Sequence, residues 1–167
     1  MSLPGETATM SFGTALAESL QPGDIILLDG PVGAGKTTLA RALIRALTHP
    51  EQDVPSPTFT LVQHYALADG TPLWHLDLYR IDDAQDAMAL GLDDAFVDAV
   101  CLIEWPDRLK KFLPKTNLSI HLYADETVDQ SDQTDNDAGL SSFVRFADVT
   151  APPHWADRIT GLIAAIS

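Results

Sequence analysis

Ile25-Ile26-Leu27-Leu28-Asp29-Gly30-Pro31-Val32-Gly33-Ala34-Gly35-Lys36-Thr37-Thr38 is the stretch whose reading decides the fold class. Four large aliphatics in succession describe a strand apolar on both faces, as in a buried parallel sheet. Residues 30–37 match G-x-x-x-x-G-K-[ST], and the apolar-periodic segment from Leu39 supplies the helix that this motif requires after its strand. Three glycines let the backbone turn tightly, so that successive N–H groups face a polyphosphate. The N-terminus of the following helix adds a favourable dipole for the same anion. Lys36 then places an ammonium on the β/γ-phosphates, and the Thr37 hydroxyl ligates the magnesium bridging them. A chance glycine-rich turn is the competing explanation, and the Lys-Thr pair between strand and helix speaks against it. The expectation is a protein that binds a nucleoside triphosphate.

Working outward, residues 7–20 read as a helix, with Phe12, Leu16 and Leu20 at i, i+4 and i+8 and Pro22-Gly23 as its stop. Leu39, Leu43 and Leu47, with Ala40 and Ile44, mark the helix after the loop; Arg41 and Arg45 fall on its solvated side. Residues 48–58 form a loop with three prolines. Phe59–Leu67 and Leu73–Leu78 read as a hairpin turned at Gly70. Residues 83–98 look helical with a break near Gly91. Val100-Cys101-Leu102-Ile103 is a second buried strand, and Pro106 starts a short basic helix, Asp107 to Phe112. Leu118–Tyr123 and Phe143–Val149 follow as strands. A closing amphipathic helix carries Trp155, Ile159, Leu162, Ile163 and Ile166. The class is α/β: a three-layer P-loop NTPase-like domain spanning 1–167, with a mostly parallel sheet and added antiparallel strands.

Composition narrows the functional classes. The 167 residues are 46% hydrophobic and 20% charged, which fits one globular domain. The net charge is -14, and residues 125–137 hold six acids without a base, leaving about -8 elsewhere. Residues 125–139 therefore read as a mobile acidic loop. Tight binding of bare nucleic acid needs basic patches, so a protein partner is the better expectation. The lone Cys101 suits a reducing cytoplasm, and no secretory leader or membrane-spanning run is legible.

The second half of the site needs an acid near the magnesium and a group that positions water. Glu104 ends the second buried strand, where ligands bind in parallel sheets. Asp77 lies within His75-Leu-Asp-Leu-Tyr-Arg80, where a buried carboxylate is costly unless paired or functional; pairing with Arg80 is the structural alternative. His75 and Tyr79 alternate with Asp77 onto one strand face, and a lone histidine there reads first as structural. Ser56-Pro57-Thr58 is either turn chemistry or a γ-phosphate-sensing loop. Arg108, Lys110, Lys111 and Lys115 form a basic cluster whose default reading is a solvated face.

Taken together, G-P-V-G-A-G-K-T-T (30–38), S-P-T-F-T-L-V (56–62), H-L-D-L-Y-R (75–80) and L-I-E-W-P (102–106) resemble the TsaE family. This is the small ATPase of the bacterial machinery that makes threonylcarbamoyladenosine in tRNA. The resemblance runs from about Thr9 to about Tyr123. It implies that Gly33, Ala34, Gly35 and Lys36 bind ATP phosphates, that Thr37 and Glu104 hold Mg2+, and that Asp77 is needed for hydrolysis. Thr38 and Trp105 would border the site, and Thr9, in Thr9-Met-Ser-Phe12-Gly13, would lie near the base. The resemblance further implies that this chain joins a TsaD-type transferase and a TsaB-type scaffold and meets tRNA through that complex; the expectation is ATP hydrolysis that is slow alone and faster with partners. The family usually has an acid after the first loop glycine, where this chain has Pro31. A nucleotide contact from the C-terminal strands would fall to Arg145. A small-molecule kinase and a non-hydrolysing nucleotide-gated module are the alternatives; against the kinase, none of the six arginines cluster in a lid-like insertion.

Overall fold

The computed structural model describes residues 1–124 and 144–166. The expected mobile segment at 125–139 lies outside the described residues. Strand β1 (Ser2–Pro4) leads into α1 (Gly5–Ala17), and β2 (Ile25–Asp29) leads through the glycine-rich loop into α2 (Lys36–Leu47). The hairpin is β3 (Val62–Ala66) and β4 (Pro72–Asp77). The broken helix is α3 (Ala84–Met88) and α4 (Leu92–Asp98), followed by β5 (Val100–Glu104). The chain closes with β6 (Leu118–Ala124), β7 (Val144–Thr150) and α5 (Ala156–Ile166).

The strands form one mixed sheet in the order β1-β7-β6-β2-β5-β4-β3. Its middle is parallel: β2 pairs with β5 and β6, and β5 with β4. The two margins are antiparallel, β3 on β4 at one side, and β7 on β6 and β1 at the other. Ile26 and Leu28 of β2 pack with Phe12, Leu16, Leu39, Leu43 and Leu162 on one face. Ile25 and Leu27 pack with Ala87, Leu92 and Ala95 on the other. Both faces of β2 are therefore covered by helices, as its uninterrupted aliphatic run requires.

Several elements depart from the sequence expectation. The first helix starts at Gly5 and stops at Ala17, because Ser19 and Leu20 already donate to carbonyls three residues back. β3 starts at Val62 rather than Phe59, since the N–H groups of Thr60 and Leu61 both turn back to the Pro57 carbonyl. In place of one basic helix, residues 106–108 and 110–112 form two 3-10 turns with i to i+3 bonds such as Leu109 to Pro106 at 2.9 Å. Arg41 and Arg45 are not solvated: their Nε atoms donate to the carbonyls of Val54 and Gln52, each at 3.1 Å. They hold the proline-rich loop against α2.

The switch from strand to helix at residue 30 depends on one glycine. Gly30 has φ +131°, and a Cβ there would stand 2.0 Å from the Leu122 carbonyl oxygen of β6. Only glycine combines that φ with such a close backbone approach. The glycine-rich loop is thereby seated at the C-terminal ends of the parallel strands.

Candidate functional site

A cavity of about 410 Å3 opens at those strand ends, lined by Gly33, Gly35, Lys36, Thr37, Thr38, Asp77, Glu104 and Trp105 among others. Three parallel strands deliver its chemistry. β2 ends in the loop, while β4 and β5 run in register with Asp77 beside Glu104, so both carboxylates finish on one sheet face. Burial of each is unusual for an acid, and each carboxylate has hydrogen-bonded partners, as the cost of dehydrating it demands.

Glu104 is 2% exposed. Its Oε2 accepts from the Thr37 hydroxyl at 2.9 Å, and its Oε1 meets His75 Nε2 at 2.9 Å. Asp77 accepts from the Thr58 hydroxyl at 2.7 Å and from the Tyr79 backbone N–H at 3.0 Å. Ser56 Oγ lies 2.7 Å from Thr58 Oγ1, extending that chain of hydroxyls outward. Among the described residues Asp77 makes no ion pair with Arg80, whose guanidinium instead sits 4.4 Å over the Phe59 ring. The structural salt bridge weighed from the sequence is therefore replaced by a hydroxyl and a backbone amide.

Lys36 is 5% exposed and turned onto its own loop. Its Nζ donates to the carbonyls of Gly30 and Pro31 at 2.7 and 2.8 Å, and stands 4.1 Å from the Trp105 ring centroid. Burial pushes its pKa below the ordinary lysine value, while Glu104, Asp77 and Asp29 pull it back up. Trp105 reaches this position from a left-handed backbone, φ 60° and ψ 53°, a strained conformation for a bulky residue. Its N–H bonds the Leu28 carbonyl at 3.2 Å, tying the end of β5 to the end of β2.

Not every residue singled out from the sequence converges here. Thr9 is fully buried in α1, its Oγ1 on the Gly5 carbonyl at 3.4 Å. It stands behind the loop, with Cγ2 3.8 Å from where a Gly35 Cβ would be, and does not itself line the cavity. Ala34 is buried away from the opening; its backbone N–H closes a turn on Pro31. Arg145 does line the cavity from β7, with Cδ and Nε 3.4 Å from where a Gly35 Cβ would stand. Tyr79, which the sequence places on the strand face of Asp77 without assigning it a role, lines the cavity beside Trp105, ring centroids 5.0 Å apart. The sequence reading passed over His75 as an ordinary structural residue. Its place two residues before Asp77 on a strand face was the available signal.

Among the described residues no group of three or more His, Cys, Asp and Glu side chains is placed to hold a metal. Thr37 Oγ1 and Glu104 Oε2 offer a hydroxyl and a carboxylate together. That hard-oxygen pair fits Mg2+, which takes one or two protein ligands and completes its shell with water and phosphate.

The geometry thus defines an α/β protein with a glycine-rich loop, a buried lysine and two carboxylates converging at the ends of parallel strands. Residues 3–133 match the family model described as "Threonylcarbamoyl adenosine biosynthesis protein TsaE". The chain belongs to the TsaE family. The TsaE of Haemophilus influenzae, a "tRNA threonylcarbamoyladenosine biosynthesis protein", is 36% identical over 72% of this chain and 78% of its own length. Proteins of the same name from a Nostoc species and from Mycobacterium bovis are 36% identical over 85% of this chain and 89% of theirs, and 38% identical over 78% and 80%. The crystal structure of Bacillus subtilis YdiB has the same fold, with a TM-score of 0.72 at 24% identity over 100% of this chain and 95% of that one. No helix among the described residues is long and apolar enough to cross a membrane.

Proposed function

We propose that this chain binds and hydrolyses ATP with Mg2+ at the glycine-rich loop, on a P-loop NTPase-like fold, as the nucleotide-driven subunit of cytoplasmic tRNA threonylcarbamoyladenosine synthesis. The observation carrying this reading is the convergence of Lys36, Thr37, Asp77 and Glu104 on one cavity beside that loop. Lys36 leaves the Gly30 and Pro31 carbonyls to pair with the β/γ-phosphates, and the backbone N–H groups of Gly33, Gly35 and Lys36 cradle the remaining charge. Thr37 and Glu104 would hold Mg2+ through the hydroxyl and carboxylate oxygens that lie 2.9 Å apart. The chemistry a cation would supply there is neutralisation of phosphate charge. Asp77, with Oδ1 held by the Tyr79 N–H and Oδ2 by the Thr58 hydroxyl, uses a remaining carboxylate lone pair to orient the attacking water and accept its proton. Trp105 and Tyr79 wall the site with rings.

The names of the relatives support the biosynthetic assignment. A net charge of -14 favours work through protein partners, a TsaD-type transferase and a TsaB-type scaffold, with tRNA contacts left to them. The test is phosphate release from ATP by the purified chain, alone and with both partners, beside Lys36→Ala. Slow release alone, stimulation by partners and loss of both in Lys36→Ala are expected. Intact ATP binding with no release under either condition would move the function to a nucleotide-gated binding module. Phosphate delivered to a small-molecule acceptor would make it a kinase.

A further inference from the structure

His75 is 0% exposed in the middle of the sheet, yet its ring is bonded at one nitrogen only. Nε2 lies 2.9 Å from Glu104 Oε1, and Nδ1 has no hydrogen-bond partner among the described residues. A buried polar side chain left half satisfied is unusual in a folded protein. The arrangement does fix its tautomer. A carboxylate oxygen accepts, so the ring proton belongs on Nε2; Nδ1 is then a bare lone pair, which is less costly to leave unpaired than an N–H group.

The register explains why the residue stands there. His75 pairs with Leu102 and Asp77 with Glu104, so His75 lies one pleat behind the acid on the same face. Its ring reaches forward along the sheet to the carboxylate oxygen that Thr37 does not hold. Glu104 is thus gripped from both sides: Oε1 by the imidazole, Oε2 by the hydroxyl beside the loop.

From this we infer that His75 is a positioning residue for the cation site, turning Glu104 so that Oε2 alone is presented with Thr37 Oγ1. The inference rests on the nucleotide reading given above and extends it by one residue. With the imidazole removed, Oε1 becomes a buried, unpaired carboxylate oxygen, and the carboxyl group rotates toward whatever donor remains. Outer partners of metal-holding carboxylates commonly change cation affinity by about 10-fold to 100-fold when they are lost.

The experiment counts Mn2+ bound to the full chain by electron paramagnetic resonance, with a non-hydrolysable ATP analogue present. It compares the wild type with His75→Leu, His75→Gln and His75→Asn. Gln carries an amide donor to the place of Nε2, whereas the shorter Asn leaves its donor back at the place of Nδ1. Loss of about tenfold or more in Mn2+ affinity in His75→Leu and His75→Asn, largely restored in His75→Gln, is expected. If His75→Leu does not fold, the contrast between Gln and Asn decides alone. Equal Mn2+ affinity in all folded variants, with the wild type binding normally, overturns the role of His75 and leaves the nucleotide site standing. Absence of analogue-dependent Mn2+ binding in the wild type overturns the nucleotide reading itself, and this inference with it. Nitrogen-15 spectra of the nucleotide-free protein add a readout independent of the cation: a ring proton on Nδ1 instead of Nε2 would also sink the proposal.

Discussion

The Lys36 ammonium stands 4.1 Å from the centroid of the Trp105 ring, and among the described residues the two loop carbonyls of Gly30 and Pro31 are its hydrogen-bond acceptors. This closed posture satisfies the cation while the phosphates are absent. It also removes water from the amine, which lowers its pKa from the ordinary value of 10.5. Only the protonated amine attracts phosphate, so ATP affinity is complete below the free-protein pKa and declines as pH rises through it. Bound phosphate raises the pKa again, which stretches the decline upward. ATP affinity measured from about pH 8 to 11 should begin to fall below 10.5. A break in the logarithm of affinity at that value or above it would show that burial does not govern this lysine.

Asp77 accepts from the Thr58 hydroxyl at one oxygen and from the Tyr79 amide at the other. An amide in its place keeps the Tyr79 bond and donates to the Thr58 oxygen, whose own proton can turn to Ser56 Oγ 2.7 Å away. Asp77→Asn keeps the size of the side chain and a carbonyl acceptor. Its ATP affinity should stay within about threefold of wild type, while turnover falls by at least about 100-fold, as for loss of a general base. Equal losses in affinity and turnover, accompanied by a lower melting temperature, would mark Asp77 as a purely structural acceptor.

Two glycines of the same loop should separate strain from crowding. At Gly30 a Cβ would meet the Leu122 carbonyl at 2.0 Å and φ is +131°, so Gly30→Ala needs a shift of β6 and should cost about 3 kcal/mol or more. At Gly33 φ is +81° and nothing lies within 4 Å of a Cβ, so Gly33→Ala should cost about 1–2 kcal/mol. Chemical denaturation of the two variants checks the order. A reversed order would mean that β6 yields easily at Leu122.

What the chain order reveals and what it hides follow from how local each determinant is. β2, the loop and α2 were legible because four buried aliphatics and an i, i+4 leucine stripe are written in adjacent residues. The hairpin was legible through Gly70, which adopts φ +87° at its turn. Glu104 was legible because strand-end position alone argues for it. β1 was not: it has three residues with one buried side chain, Leu3, and exists only through pairing with β7 from the far end of the chain. The partner of Asp77 was not legible either. Arg80 follows it closely in sequence, but Leu61 at φ +66° and the turn at Pro57 bring Thr58 to the carboxylate and Phe59 beneath the guanidinium. The grip of His75 on Glu104 depends on strand register, which the sequence does not state.

Arg145 reaches the cavity from β7, two strands away from the loop it approaches. Its Cδ and Nε lie 3.4 Å from where a Gly35 Cβ would stand, so the side chain runs along the loop at van der Waals distance. A planar fork of donors at the rim of a polyphosphate site binds oxygen atoms strongly. Arg145→Ala should lower ATP affinity by about 10-fold at low ionic strength, since a hydrogen bond to a charged group contributes about 1.5–3 kcal/mol before screening. The deficit should shrink as salt is raised, because the rim is open to solvent and its charges are screened. Arg145→Lys should recover part of it, keeping the charge without the fork. Titration calorimetry at two salt concentrations measures all three effects. Unchanged affinity in Arg145→Ala at low salt would leave this arginine to the packing of the loop alone.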